Sequence, residues 1–219
     1  MQTANLRGVC MDPGMYITYR ALVEALIPYT PVISLSEAVQ VPGAVANGVY
    51  DYLIWELDHS LSLVCCISPE AIPLSAPTAQ LLNIAAVQYT SAGYSDCGPW
   101  SPGWAWSPFA ALATEDRIRV LSLLEQRQLD CGLFPPPYKE DAGFTSYMVD
   151  FLNRATLFGN YSEWPAYGTT RLNTPLCRRL EFFPVGWRQA EYPGVSKGHR
   201  AFRGYMLYIE REGACYTIV

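Results

Sequence analysis

Val41 to Cys66, VPGAVANGVYDYLIWELDHSLSLVCC, carries apolar residues at Val49, Leu53, Leu57, Leu61 and Val64. A recurrence every three or four residues is the signature of a helix. The pattern predicts nearly five turns, with Pro42 in the first turn, where its missing N–H costs nothing. The stretch is apolar around most of its girth, so it is expected to lie centrally. Around such a helix the rest of the chain must supply partners of the same kind. Gly14 to Pro28 offers Tyr16, Tyr19, Val23 and Leu26 at helical spacing, and Ser75 to Thr90 reads as a shorter helix. Ser107 or Thr114 opens TEDRIRVLSLLEQRQL, with Thr114 suited to the N-cap and Glu115 and Asp116 to the first turn. Ile118, Leu121 and Leu124 form its expected buried stripe. Phe144 to Phe158 completes the set, with Gly159 as a stop.

The resulting fold class is mainly α: a single helical domain over 1–219, an irregular bundle of about five helices. Seventeen prolines and sixteen glycines imply long ordered loops between them, with FPPPYKEDAG as a hinge-like one. Residues 160–219 form an aromatic, loop-rich C-terminal segment, with a short hairpin expected around Glu212-Gly213. Half the residues are hydrophobic and 16% are charged, which excludes a disordered chain. A net charge of −5 with scattered basic residues argues against a nucleic-acid partner, which needs a dense basic face. No run of about 18 apolar residues is present, so no membrane insertion is expected. The N-terminal MQTANLRGVCMDPGMY has no export pattern, and a cytoplasmic location follows as an expectation. Seven cysteines without a CxxC pair read as mostly buried thiols in a reducing compartment. Cys97 and Cys131 both flank proline-rich loops, which leaves a bridge between them open.

Chemistry-bearing patterns are sparse. Glu56 and His59 stand at E-x-x-H spacing, which places a carboxylate and an imidazole on one helical face. A di-iron bundle needs two such copies and further glutamates, and the chain holds only His59 and His199. Asp58 or His59 meeting a neighbouring loop is the simpler reading. Neither G-x-S-x-G, G-x-G-x-x-G nor a Walker loop occurs, so the sequence points to no metal and no cofactor of its own. Trp100, Trp104 and Trp106 in GPWSPGWAW are candidate pocket walls, or a loop folded over its own core. Asp116-Arg117 and Arg178-Arg179 read as helix-end and surface ion pairs.

FFPVGWRQAEYPGVSKGHRAFRGY, near the end of the chain, sets large rings among arginines, glycines and prolines. That composition is enriched at protein interfaces. Within it, Gly186-Trp187-Arg188-Gln189-Ala190-Glu191-Tyr192-Pro193-Gly194, followed by Gly198 and Phe202, resembles the C-terminal segment of the gluconate 2-dehydrogenase subunit 3 family. LVEALIP, ALATEDRIRVLSLLE and FLNRATLFGNY look similar in kind. The resemblance implies a non-catalytic helical small subunit that helps a flavoprotein large subunit fold or reach its compartment. That partner would be an oxidoreductase of the glucose-methanol-choline type, and FAD would belong to it. Trp187, Arg188, Tyr192, Pro193, Gly194 and Phe202 are then the expected partner-binding residues. Family members commonly begin with a twin-arginine export signal, which this N-terminus does not carry. The alternative is a stand-alone cyclase, isomerase or dehydratase acting on an apolar small molecule. Asp58, His59 and His199 would be its acid–base candidates.

Overall fold

A computed structural model describes residues 12–30, 42–61, 73–189 and 191–194. In chain order the helices are α1 (Pro13–Leu26), α2 (Val49–His59), α3 (Ser75–Ser91), the single turn α4 (Pro108–Ala111), α5 (Thr114–Glu125), α6 (Ala142–Tyr161) and the short α7 (Val185–Gln189). Three 3₁₀ segments, Cys131–Leu133, Trp164–Thr170 and Pro175–Cys177, punctuate the loops. No β-strand occurs among the described residues, and the protein is an irregular helical bundle. The expected hairpin at Glu212-Gly213 lies outside them.

The starts of α1 and α6 are legible in their first residues. Asp12 accepts from the Gly14 N–H at 3.0 Å, and Pro13 occupies the first helical position of α1. Asp141 does the same for α6, accepting from Gly143 and Phe144 N–H groups at 2.7 and 3.1 Å. α2 departs from the periodicity. It begins at Val49, because Gly48 at φ 64° turns the chain in the left-handed region just before it. Residues 44–48 form turns, so Pro42 is outside the helix, which runs for about three turns. Val49, Leu53 and Leu57 are nonetheless fully buried, as the spacing required.

Gly159 does not stop α6, which continues to Tyr161. A Cβ there would lie 2.6 Å from Tyr52 Cδ1 and 3.0 Å from Val49 Cγ1. The glycine is a seat for α2, not a cap. The Ser107–Glu125 stretch divides in two. Ser107 caps α4 through the Ala110 N–H at 3.1 Å, and extended Leu112 separates it from α5. Thr114 is the first residue of α5 and the cap position falls on Ala113. Leu121 and Leu124 face the core with Val120, whereas Ile118 is exposed and Arg117 is buried in its place.

Tyr19 donates to the Ser75 carbonyl at 2.7 Å, fixing α1 to the start of α3. A buried polar knot holds the far side together. Ser107 Oγ donates to Asn83 Oδ1 at 2.9 Å and lies 2.8 Å from Thr18 Oγ1. It anchors the end of the tryptophan loop to α1 and α3. The FPPPY loop is no hinge: Phe134 and Tyr138 are buried, and the Tyr138 hydroxyl meets Thr78 Oγ1. Burial of each such large side chain contributes about 1.5–3 kcal/mol.

Candidate docking surface

Beyond α6 the chain doubles back on itself along one end of the bundle. Trp164 is buried and donates from Nε1 to the Gly48 carbonyl at 2.9 Å, beneath the turn that starts α2. Gly168, at φ 48°, reverses the backbone. The returning strand of chain is then stitched on, with the Glu181 N–H donating to the Ala166 carbonyl at 2.8 Å. The Glu181 carboxylate accepts from the Thr169 N–H at 2.9 Å and from the Thr169 hydroxyl, and these bonds hold its pKa below the ordinary glutamate range.

Arg178 locks this return. Its guanidinium carbon lies 4.5 Å from the Trp55 ring centroid and 5.0 Å from that of Trp164, and its Nε donates to the Asn173 carbonyl at 3.1 Å. Burial lowers its pKa, against the charges of Tyr167, Glu56 and Tyr52. It is a stacked cation and not half of the surface ion pair expected for Arg178-Arg179.

α7 sits on the end of α6, with Gly186 so close that a Cβ would lie 2.4 Å from the Tyr161 carbonyl oxygen. Phe183, Trp187 and Tyr192 form an edge-to-face ladder with centroid spacings of 5.8 and 5.0 Å. Trp187 is half-buried within the ladder, while Arg188, Tyr192 and Pro193 are exposed. Gly194 takes φ 101°, a backbone conformation that favours glycine. His199 and Phe202 lie outside the described residues. Trp187 therefore acts as the support of this surface, and its face comes from residues that periodicity could not find. Leu176 is 99% exposed, and Leu172, Leu180 and Phe182 are also exposed. Phe158 and Tyr161 of α6 are exposed at the same end of the bundle. The signal was present in RLNTPLCRRLEFF, where apolar residues alternate with prolines and arginines at neither helical nor strand spacing. Such residues have no face to bury.

The other candidates are placed differently. Asp58 accepts from the Ser75 N–H at 2.9 Å and the Ser75 hydroxyl at 2.8 Å, capping α3 from the end of α2. His59 is exposed, stacked on Trp55 at 5.1 Å, with Nδ1 2.9 Å from the Trp55 carbonyl oxygen. Asp58 and His59 thus each meet neighbouring structure. Trp100 is 81% exposed and Trp106 63%, with Trp104 half-buried, so the tryptophan loop stands out from the bundle. Cys97 and Cys131 are free and half-buried, each donating to a nearby carbonyl, and Cys177 is exposed. These three thiols are neither bridged nor fully buried. Asp116 and Arg117 part company: Asp116 accepts from Tyr89 and Ser95, and Arg117 turns inward to Glu24.

Among the described residues no cluster of three or more His, Cys, Asp or Glu could hold a metal ion, and no helix is long and apolar enough to cross a membrane. No protein-family model, curated protein or solved structure matches the chain.

Proposed function

We propose that this protein is a non-catalytic small subunit or assembly partner that docks a larger protein through the 171–194 segment. The observation that carries the reading is the exposed apolar set Leu176, Leu180, Phe182 and Tyr192, held beside an aromatic and arginine support. Apolar side chains on fixed backbone gain by leaving water and lose little conformational entropy on doing so. Arg179 and Arg188 at the margin add charge that steers and orients a partner. The likeness of Gly186-Trp187 to Tyr192-Pro193-Gly194 to subunit 3 sequences supports an FAD-bearing oxidoreductase of the glucose-methanol-choline type as that partner. Three free thiols are in keeping with a cytoplasmic complex. The capping role of Asp58 favours this reading over a stand-alone acid–base enzyme.

The test is affinity purification of the tagged full chain from its own host, with native mass spectrometry and an absorbance scan. A larger protein in fixed stoichiometry with a flavin spectrum is expected. Leu176→Asp and Phe182→Asp should abolish its capture while leaving the circular dichroism unchanged. A solitary 24.4 kDa species with no flavin absorbance would sink the proposal.

A further inference from the structure

Arg117 is the feature that the docking surface leaves unused. It is 9% exposed, on the first turn of α5. Nη1 donates to the Ala21 carbonyl at 3.3 Å and to Glu24 Oε2 at 2.8 Å, and Nη2 donates to the Ala110 carbonyl at 2.8 Å. Nε is buried without a partner. The only carboxylate on Arg117 among the described residues is that of Glu24, whose side chain is 57% exposed. A buried cation with an orphan donor, whose counter-charge comes from a solvent-exposed side chain, is an incomplete arrangement.

The guanidinium borders a groove of about 230 Å³ between α1, α4, α5 and the turn before α2. Its apolar walls are Ile17, Ala21, Val45 and Ala110. Arg20 and Glu24 flank the same opening, one turn of α1 apart. Arg20 makes no ion pair among the described residues, and its guanidinium carbon lies 5.9 Å from the Tyr50 ring centroid. Two arginines and one glutamate therefore line the same apolar slot. At roughly 30 Å³ per displaced water, the slot has the volume of about seven or eight waters. That suits a short aliphatic chain.

We infer that this groove binds a short-chain aliphatic monocarboxylate. Its head group takes the place of Glu24 at Arg117 and is flanked by Arg20, while its tail lies along Ile17 and Val45. A planar guanidinium matches a carboxylate in shape as well as charge. A phosphate dianion has no use for the apolar walls, and its second charge faces Glu24. The site is independent of the docking surface, so either reading can fail alone.

The experiment is calorimetric titration of the full chain with sodium hexanoate at fixed ionic strength, beside hexanamide and inorganic phosphate. Saturable one-site binding of hexanoate is expected, with no binding of hexanamide. Glu24→Gln should tighten hexanoate by removing the competing carboxylate. Arg20→Ala should weaken it about tenfold, the loss of one charge-assisted contact. Both substitutions are at exposed positions, glutamine keeps an oxygen for Arg117 Nη1, and circular dichroism of each variant checks the fold before titration, so Arg117 itself need not be changed. Absence of saturable binding in both the wild type and Glu24→Gln overturns the inference. So does an affinity indifferent to Arg20, equal affinity for hexanamide, or tighter binding of phosphate than of hexanoate.

Discussion

Asp51 stands in the first turn of α2, where the positive end of the helix favours a carboxylate, yet its pKa is pushed from 3.8 up to about 6. Burial is the larger effect, and the nearby charge of Arg171 only partly opposes it. The folded state therefore holds this proton more tightly than the unfolded chain does. Between pH 3.8 and about 6 the native protein binds more protons, so this residue's contribution falls as pH rises through that window and is constant above it. Asp51→Asn should lack that fall. Thermal melts of both proteins from pH 4 to 7.5 would show a gap opening in favour of the variant as pH approaches 6, then holding level. A gap that stays constant across the range would mean that Asp51 titrates normally. Glu181 acts in the opposite sense, with its pKa lowered, so it stabilises at higher pH and loses that contribution as pH falls; the difference between the two melts cancels it. Nothing local in the sequence marked Asp51, because its burial comes from the chain folding over the start of α2.

The helices themselves were largely written in the chain. α1 follows from the spacing of Tyr19, Val23 and their neighbours, and Asp12-Pro13 and Asp141 set the starts of α1 and α6 by local chemistry. What spacing misread were the glycines. Asn47-Gly48 is a turn signal, and it starts α2 at Val49 and leaves Pro42 outside the helix, while Val64 of the apolar run lies outside the described residues. Gly159 looked like a stop, but its purpose is visible only once Tyr52 and Val49 of α2 are set against it. Gly159→Ala tests that purpose. Alanine in a helix interior is favoured by up to about 1 kcal/mol over glycine. Forcing two packed helices apart costs about 1–3 kcal/mol. The Cβ contact at 2.6 Å on an aromatic ring decides the sign, and a net loss of about 1–2 kcal/mol is expected. For a chain of this length that lowers Tm by roughly 2–8 °C. A raised Tm would show that α2 and α6 stand further apart than described.

At the scale of the whole molecule, the bundle and the 171–194 segment are joined by few groups. Leu172, Leu176, Leu180 and Phe182 bury little, so the segment owes its place to Arg178, the Thr169–Glu181 stitch and the Gly186 seat. Sequence could name Trp187 and Tyr192 as unusual, because their turn chemistry is local. It could not assign Arg178, whose two tryptophan partners lie 123 and 14 residues away along the chain. Arg178→Ala should therefore loosen the segment while sparing the core. Each of the two stacked faces is worth about 0.5–2 kcal/mol, so the open form should rise roughly fivefold to several hundredfold. Limited proteolysis is the direct measurement: cleavage between 171 and 194 should accelerate, while the fragments of α1 to α6 persist. Emission from Trp55 and Trp164 should change in parallel, as a cation leaves both rings. Arg178→Lys keeps the charge without the planar stack and should fall between the two. If the segment is the docking surface, Arg178→Ala must also weaken partner capture although it alters none of the exposed apolar side chains. An unchanged cleavage pattern would place the anchor elsewhere, on the Glu181 stitch or the α7 seat, and Thr169→Ala would then be the variant that releases it.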